Sequence, residues 1–205
     1  MYDNNLLVIS AFKTASLVFF SFSLPFILLA VRRFRQNWLE ETIAKRLLFA
    51  TTFGMLFTAY ENFAPLPSWI LSLLFELFFC VAIIWTVSAL KWHGPDNNKG
   101  EKPKSRIIHG VAALPVGVIA AGMLAKLSCK VCAIIIVLKS LNRNDKAPNP
   151  YCSKRLHAFL EAFGLSLLMF AVSDVVLWSQ TYSWGIRSLA SLTFFYSIWT
   201  WHSHP

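Results

Sequence analysis

The sequence predicts an all-α polytopic membrane protein: a bundle of seven transmembrane helices in one domain over residues 1–205, with a candidate 3+1+3 parallel repeat. Three observations lead there. Apolar residues make up 56% of the chain and charged residues only 14%, against about 45–50% and about 25% in soluble domains. The mean hydropathy is +0.54. The basic residues gather in three polar segments between long apolar runs. This composition excludes a soluble globular domain and a disordered chain, which needs low hydrophobicity. Four cysteines among 205 residues do not make a disulfide scaffold.

A helical span needs about 20 mostly apolar residues. The candidate spans are Leu6–Val31, Leu47–Ala64, Ser68–Leu90, Ile107–Ala125, Leu127–Leu138, Leu156–Trp178 and Gly185–Trp201. The first has no small-residue cleavage site and runs straight into basic residues, so it reads as a span rather than a signal peptide. The polar segments Arg32–Arg46, Lys91–Arg106 and Lys139–Arg155 hold five basic residues each, fifteen of the nineteen in the chain. Cytoplasmic loops collect Lys and Arg, and seven crossings put all three segments on one side. The expected topology is therefore an outside N-terminus and a cytoplasmic C-terminus. The net charge of +9 is then a topological signal, and no nucleic-acid partner is needed.

The stretch Ile107–Leu141 strains this scheme. Its 35 residues make about 52 Å of helix at ~1.5 Å per residue, short for two crossings of a ~30 Å core. The expectation is a pair of short helices turning near Lys126, or a partly re-entrant pair broken at Pro115, Gly117 and Gly122.

Two segments look duplicated. Lys45-Arg46-Leu47 is followed by Phe53-Gly54 and Glu61, and Lys154-Arg155-Leu156 by Phe163-Gly164 and Asp174, with unequal spacings. Three helices, a linker helix and three helices in the same orientation form a parallel repeat of the kind found in some transporters. This plan resembles, in topology, the sugar-transporter fold of the SWEET and PQ-loop group; that group's Pro-Gln dipeptide is absent. The resemblance implies alternating access about a central site.

Ionisable groups within spans raise a functional question by default. Glu161 lies one helical turn after His157 and is expected to pair with it or with Lys154 and Arg155. Glu61, Glu76 and Asp174, the last beside Ser173, fall in the outer half of their spans. Lys126, Lys130 and Arg187 fall in the same layer. Opposite charges at one depth compensate each other's desolvation or line a polar cavity. Glu76, between Phe75 and Leu77, has to pair, protonate or face water.

The candidate binding residues for a small polar solute or cation are therefore Glu61, Glu76, Asp174, Ser173, Lys126, Lys130 and Arg187. The expected activity is that of a small transporter or channel-like protein. Rival readings are an intramembrane lipid enzyme, and an assembly or sensor subunit whose charges pair with a partner chain; a homo-oligomer is compatible with each. Ser173-Asp174 is similar to a Ser-Asp near the penultimate helix of lysoplasmalogenase-type membrane hydrolases, which implies acid–base chemistry on a lipid. That family's Gly-Asp on an earlier helix is missing, so Glu61 or Glu76 would have to replace it.

The remaining motifs are weak. Cys129 and Cys132 form a lone C-x-x-C, which without a thioredoxin-like pattern reads as packing. His202 and His204 sit in a short tail. No metal or cofactor is expected: nucleotide-binding, zinc-protease and nucleophile-elbow motifs are all absent. Trp69, Trp178 and Trp184 are expected in one interfacial belt, and Trp38, Trp92, Trp199 and Trp201 in the other.

Overall fold

A computed structural model describes residues 3–64, 68–92, 119–146, 153–176 and 179–203. These form six α-helices: α1 (Asp3–Arg33), α2 (Trp38–Phe63), α3 (Trp69–Ser88), α4 (Ile119–Lys146), α5 (Lys154–Val175) and α6 (Gln180–Ser203). A 3-10 turn, Ala89–Trp92, extends α3. Three helices are long and apolar enough to cross a membrane, over Asn5–Arg33, Ile70–Ser88 and Lys154–Val175. The other three are long enough, at 26, 28 and 24 residues, to span the ~30 Å of a bilayer core. They carry more of the polar side chains.

The distribution of side chains identifies the solvent. Phe22, Phe49, Phe78, Leu124, Leu165 and Leu189 are exposed on the outside, whereas Glu76, Lys130, Ser166, Ser191 and Ser197 are buried. An apolar exterior around a polar interior suits a membrane-embedded protein and would aggregate in water.

Local chemistry sets several helix ends. α1 finishes at Arg32-Arg33, cations that suit a helix C-terminus. Asn37 caps α2, its side chain accepting from the Leu39 and Glu40 amides at 3.2 and 3.5 Å, with Glu40 and Glu41 in the first turn. α2 ends before Pro65, which disfavours helix in the residue preceding it. Ser153 caps α5: its hydroxyl accepts from the Leu156 amide at 3.1 Å and donates to Glu40 at 2.6 Å. That second bond joins the starts of α2 and α5 and satisfies the buried Glu40.

Each helix packs on its neighbours in sequence, and α6 closes back onto α1. Directions follow from contacts near the helix ends. Lys13, near the start of α1, meets Glu61 at the end of α2. Glu61 in turn accepts from Ser72, at the start of α3. Glu76, in the first half of α3, meets Lys126 and Lys130, in the first half of α4. Asp174, at the end of α5, meets Arg187 near the start of α6. At the far end, Arg33 of α1 donates to the carbonyl of His202 in α6. So α1, α3, α4 and α6 run one way, and α2 and α5 the other. The chain leaves α3 at one end of the bundle and enters α4 at the opposite end.

The expected turn near Lys126 is not found. Ile119–Ala125 and Leu127–Leu138 both belong to α4, one continuous 28-residue helix. No glycine or proline follows Gly122 within it, and Lys126 and Lys130 find carboxylate partners inside the bundle rather than snorkelling outward. Residues 107–118, and the expectations placed on Pro115, Gly117, Trp178 and His204, lie outside the described residues. The polar segments also shrink, because α2 begins at Trp38 and α4 continues to Lys146.

The core divides by height. Phe20, Phe79, Phe170 and Phe194 pack edge and face across the middle of the bundle, with ring centroids 5.5–6.2 Å apart. Gly54 lets α2 approach them closely: a Cβ there would sit 2.8 Å from the Phe20 ring and 3.2 Å from Phe79. Toward the end where α6 finishes, Trp201 stacks between Phe34 at 4.9 Å and Phe159 at 4.6 Å. The belt position expected for Trp201 is thus corrected. Its ring is fully buried because Phe34, in the turn after α1, and Phe159 of α5 present aromatic faces to it. Trp38 and Trp199 are exposed.

Candidate functional site

Above the aromatic layer, toward the end where α1 begins, five charged side chains from four helices converge. Lys126 Nζ donates to Glu76 Oε2 at 2.6 Å. Lys130 Nζ donates to Glu76 Oε1 at 3.2 Å and to Asp174 Oδ2 at 2.5 Å. Arg187 Nη2 donates to Glu76 Oε1 and to Asp174 Oδ1, both at 2.8 Å. Glu76 is therefore not a lone carboxylate: it pairs with all three cations, and it is only 6% exposed. Lys126 and Lys130, one turn apart on α4, face the same carboxylate, as i and i+4 positions on a helix should.

Glu61 belongs to an adjoining pair. Its carboxylate lies 3.3 Å from Lys13 Nζ, which also donates to the Glu61 carbonyl at 2.9 Å, and it accepts the Ser72 hydroxyl. Trp184 connects the two groups. Its ring lies beneath Lys13 Nζ at 5.0 Å and beneath the Arg187 guanidinium at 5.3 Å, and it stacks on Phe57 at 6.1 Å. Arg187 also lies 5.3 Å from the Phe57 ring. Cations over aromatic faces gain electrostatically, most where water is scarce.

Of the seven residues expected at the site, Glu76, Lys126, Lys130, Asp174 and Arg187 form one network, and Glu61 sits beside it. Ser173 is buried, but its hydroxyl donates to the Phe170 carbonyl at 2.7 Å, and its own carbonyl accepts from Ser183 at 2.9 Å. Its hydroxyl is thus directed back into α5 rather than toward Asp174. Ser166 likewise donates to the Phe163 carbonyl at 2.8 Å. Glu161 lies apart from the site, 3.3 Å from His157.

Sequence reasoning missed Lys13 and Trp184. The signal for Lys13 was plain, a single cation inside the apolar run Leu6–Val31. By sequence Trp184 reads as a belt residue, because nothing in a sequence says which way an interfacial ring turns.

A recess opens onto this network, lined by Ser16, Gly54, Phe57, Thr58, Trp184 and Ser191 together with Glu76, Lys130 and Arg187. It is small, with room for little more than one water-sized group, and Phe20, Phe79 and Phe170 also line it. Among the described residues, no group of three or more His, Cys, Asp or Glu side chains could hold a metal ion. Cys129 and Cys132 are free thiols on α4, half-buried and exposed respectively. Ser173 makes no contact among the described residues that would activate it as a nucleophile. No protein-family model, curated protein or solved structure matches the chain.

Proposed function

We propose that the protein is a small integral membrane transporter or channel-like protein that takes a polar or ionic solute into this recess. In this reading the N-terminus lies outside, the C-terminus is cytoplasmic and the recess faces outward. One observation carries the proposal: a buried, interhelical ion network borders a recess and is backed, toward the end where α6 finishes, by a layer of aromatic rings. A protein with only a structural need for ion pairs gains little by burying five charges, since well-packed apolar residues serve as well or better.

Helix directions support the topology. Four helices run one way and two the other, and the start of α1 and the end of α6 lie at opposite ends, in keeping with an odd number of crossings. They also support the 3+1+3 plan, because α1, α2 and α3 alternate in the same sense as α4, α5 and α6. Glu76 belongs to the first triplet, and its three partners all belong to the second. Rocking one triplet against the other would have to exchange those contacts, so a solute that binds beside the network would couple directly to the motion.

The test is flux in proteoliposomes containing the purified protein, with sodium, potassium, choline and chloride gradients imposed in turn at several pH values. Wild-type protein should carry at least one of these, and Glu76→Gln should change the rate and its pH dependence. Equal flux from the variant at every pH would remove Glu76 from the mechanism. Absence of flux for every solute would remove the transport reading.

A further inference from the structure

We infer that the recess binds a small anion, of halide or carboxylate type, between Lys130, Arg187 and the hydroxyl of Ser16. This rests on the reading of the recess as a solute site and names the charge of the solute. The argument begins with charge balance. Within the network, Lys126, Lys130 and Arg187 face only two carboxylates, Glu76 and Asp174. The neighbouring Lys13 and Glu61 cancel. Among the described residues the site therefore carries one positive charge in excess, in surroundings largely shut off from water. A buried charge without a counter-charge is costly, and an anion in the recess supplies one.

Donor chemistry points the same way. Lys130 and Arg187 line the recess and have only donors to offer. Ser16, on α1, lines it too. Its hydroxyl is buried and has no hydrogen-bond partner among the described residues. An orphaned buried hydroxyl is uncommon, because leaving it unpaired costs the whole of its desolvation. Other hydroxyls in the bundle bond back to their own helix, as Ser191 does to the Arg187 carbonyl and Thr58 to the Gly54 carbonyl. Ser16 alone among these lining hydroxyls keeps its proton for something else. A cation in the same place would meet Lys130 and Arg187 as repulsive neighbours, and the carboxylate oxygens that could hold it are already accepting from them.

The test is thermal unfolding of the purified protein in detergent, titrated with sodium chloride or sodium acetate against sodium isethionate, a bulkier sulfonate, at constant ionic strength. The anion site predicts a saturable rise in the unfolding midpoint with chloride or acetate, and the salt with the lower half-saturation identifies the class. Ser16→Ala removes an unpaired buried group, so the midpoint in isethionate should stay level or rise, while half-saturation weakens about fivefold, the loss of one hydrogen bond. Glu76→Gln raises the positive excess and should tighten the same titration. The inference is overturned if neither anion gives a saturable shift, if the shift follows replacement of sodium by choline rather than replacement of the anion, or if Ser16→Ala titrates like wild type. Anion binding without flux would sink the transport reading alone. Cation flux without anion binding would sink this inference alone.

Discussion

The two halves of the bundle solve the same problem by opposite means. Near the start of α1 the helices are joined by charges, with Glu76 and Asp174 tied to Lys126, Lys130 and Arg187. Near the end of α6 the same helices are joined by rings and small residues: Trp201 between Phe34 and Phe159, Phe163 against Phe194, and Ser197 bonded to its own helix. In lipid the apolar surroundings give helices little reason to associate, so packing and interhelical polar contacts must do it. The ring-packed half relies mainly on shape, helped by polar ties such as Ser153 to Glu40 and Arg33 to the His202 carbonyl. The charged half needs every partner present, which is a poor way to gain stability and a good way to build a site.

The contrast can be tested by removing one element from each half. The largest effect should come from Arg187→Leu, which takes one cation from both buried carboxylates; breaking such a pair costs about 3–5 kcal/mol. Unfolding in a denaturing detergent titration should show it, and a loss under 1 kcal/mol would mean that water already screens the network. Phe194→Ala, which strips ring contacts to Phe20 and Phe163, should cost less, about 2–3 kcal/mol. Lipid competes for the helix surfaces, and so the loss falls below that of a soluble core. If Phe194→Ala proved the more damaging, the rings rather than the charges would organise the bundle.

The smallest effect should be one of pH. His202, at the end of α6 beyond the expected span, is held below its ordinary value of 6.5 by partial burial and then by the Arg33 guanidinium. The unfolded chain then binds the proton more readily. The contribution of this group is therefore full above pH 6.5 and falls away as the pH drops through the folded value. His202→Asn should flatten that slope in unfolding measured between pH 7.5 and 5, and an unchanged slope would assign it to another group.

Much of the framework was legible in the sequence. The apolar runs around Leu6–Val31, Ser68–Leu90 and Leu156–Trp178 became helices near those limits, because a run of that length in lipid has only one way to satisfy its backbone. The intramembrane charges were legible as a set, since so few fall within spans. Two errors share a cause. The break near Lys126 and the belt position of Trp201 both assumed that a polar or amphipathic group inside a hydrophobic run seeks the membrane surface. A lysine with a carboxylate to meet has no such need, and stacking holds the Trp201 ring inside although its N–H finds no partner among the described residues.

The sequence by itself determined the solvent, the helical class and the residues that would need partners, because these depend on composition and on periodicity along one helix. Only the tertiary structure decided who the partners are. Glu76 meets Lys126, Lys130 and Arg187 across sequence separations of 50, 54 and 111 residues. It likewise decided that Lys13 and Trp184 join the site and that the Ser16 hydroxyl has no partner among the described residues. These depend on the rotation and height of each helix relative to the others, which packing around the whole ring sets and no single segment encodes.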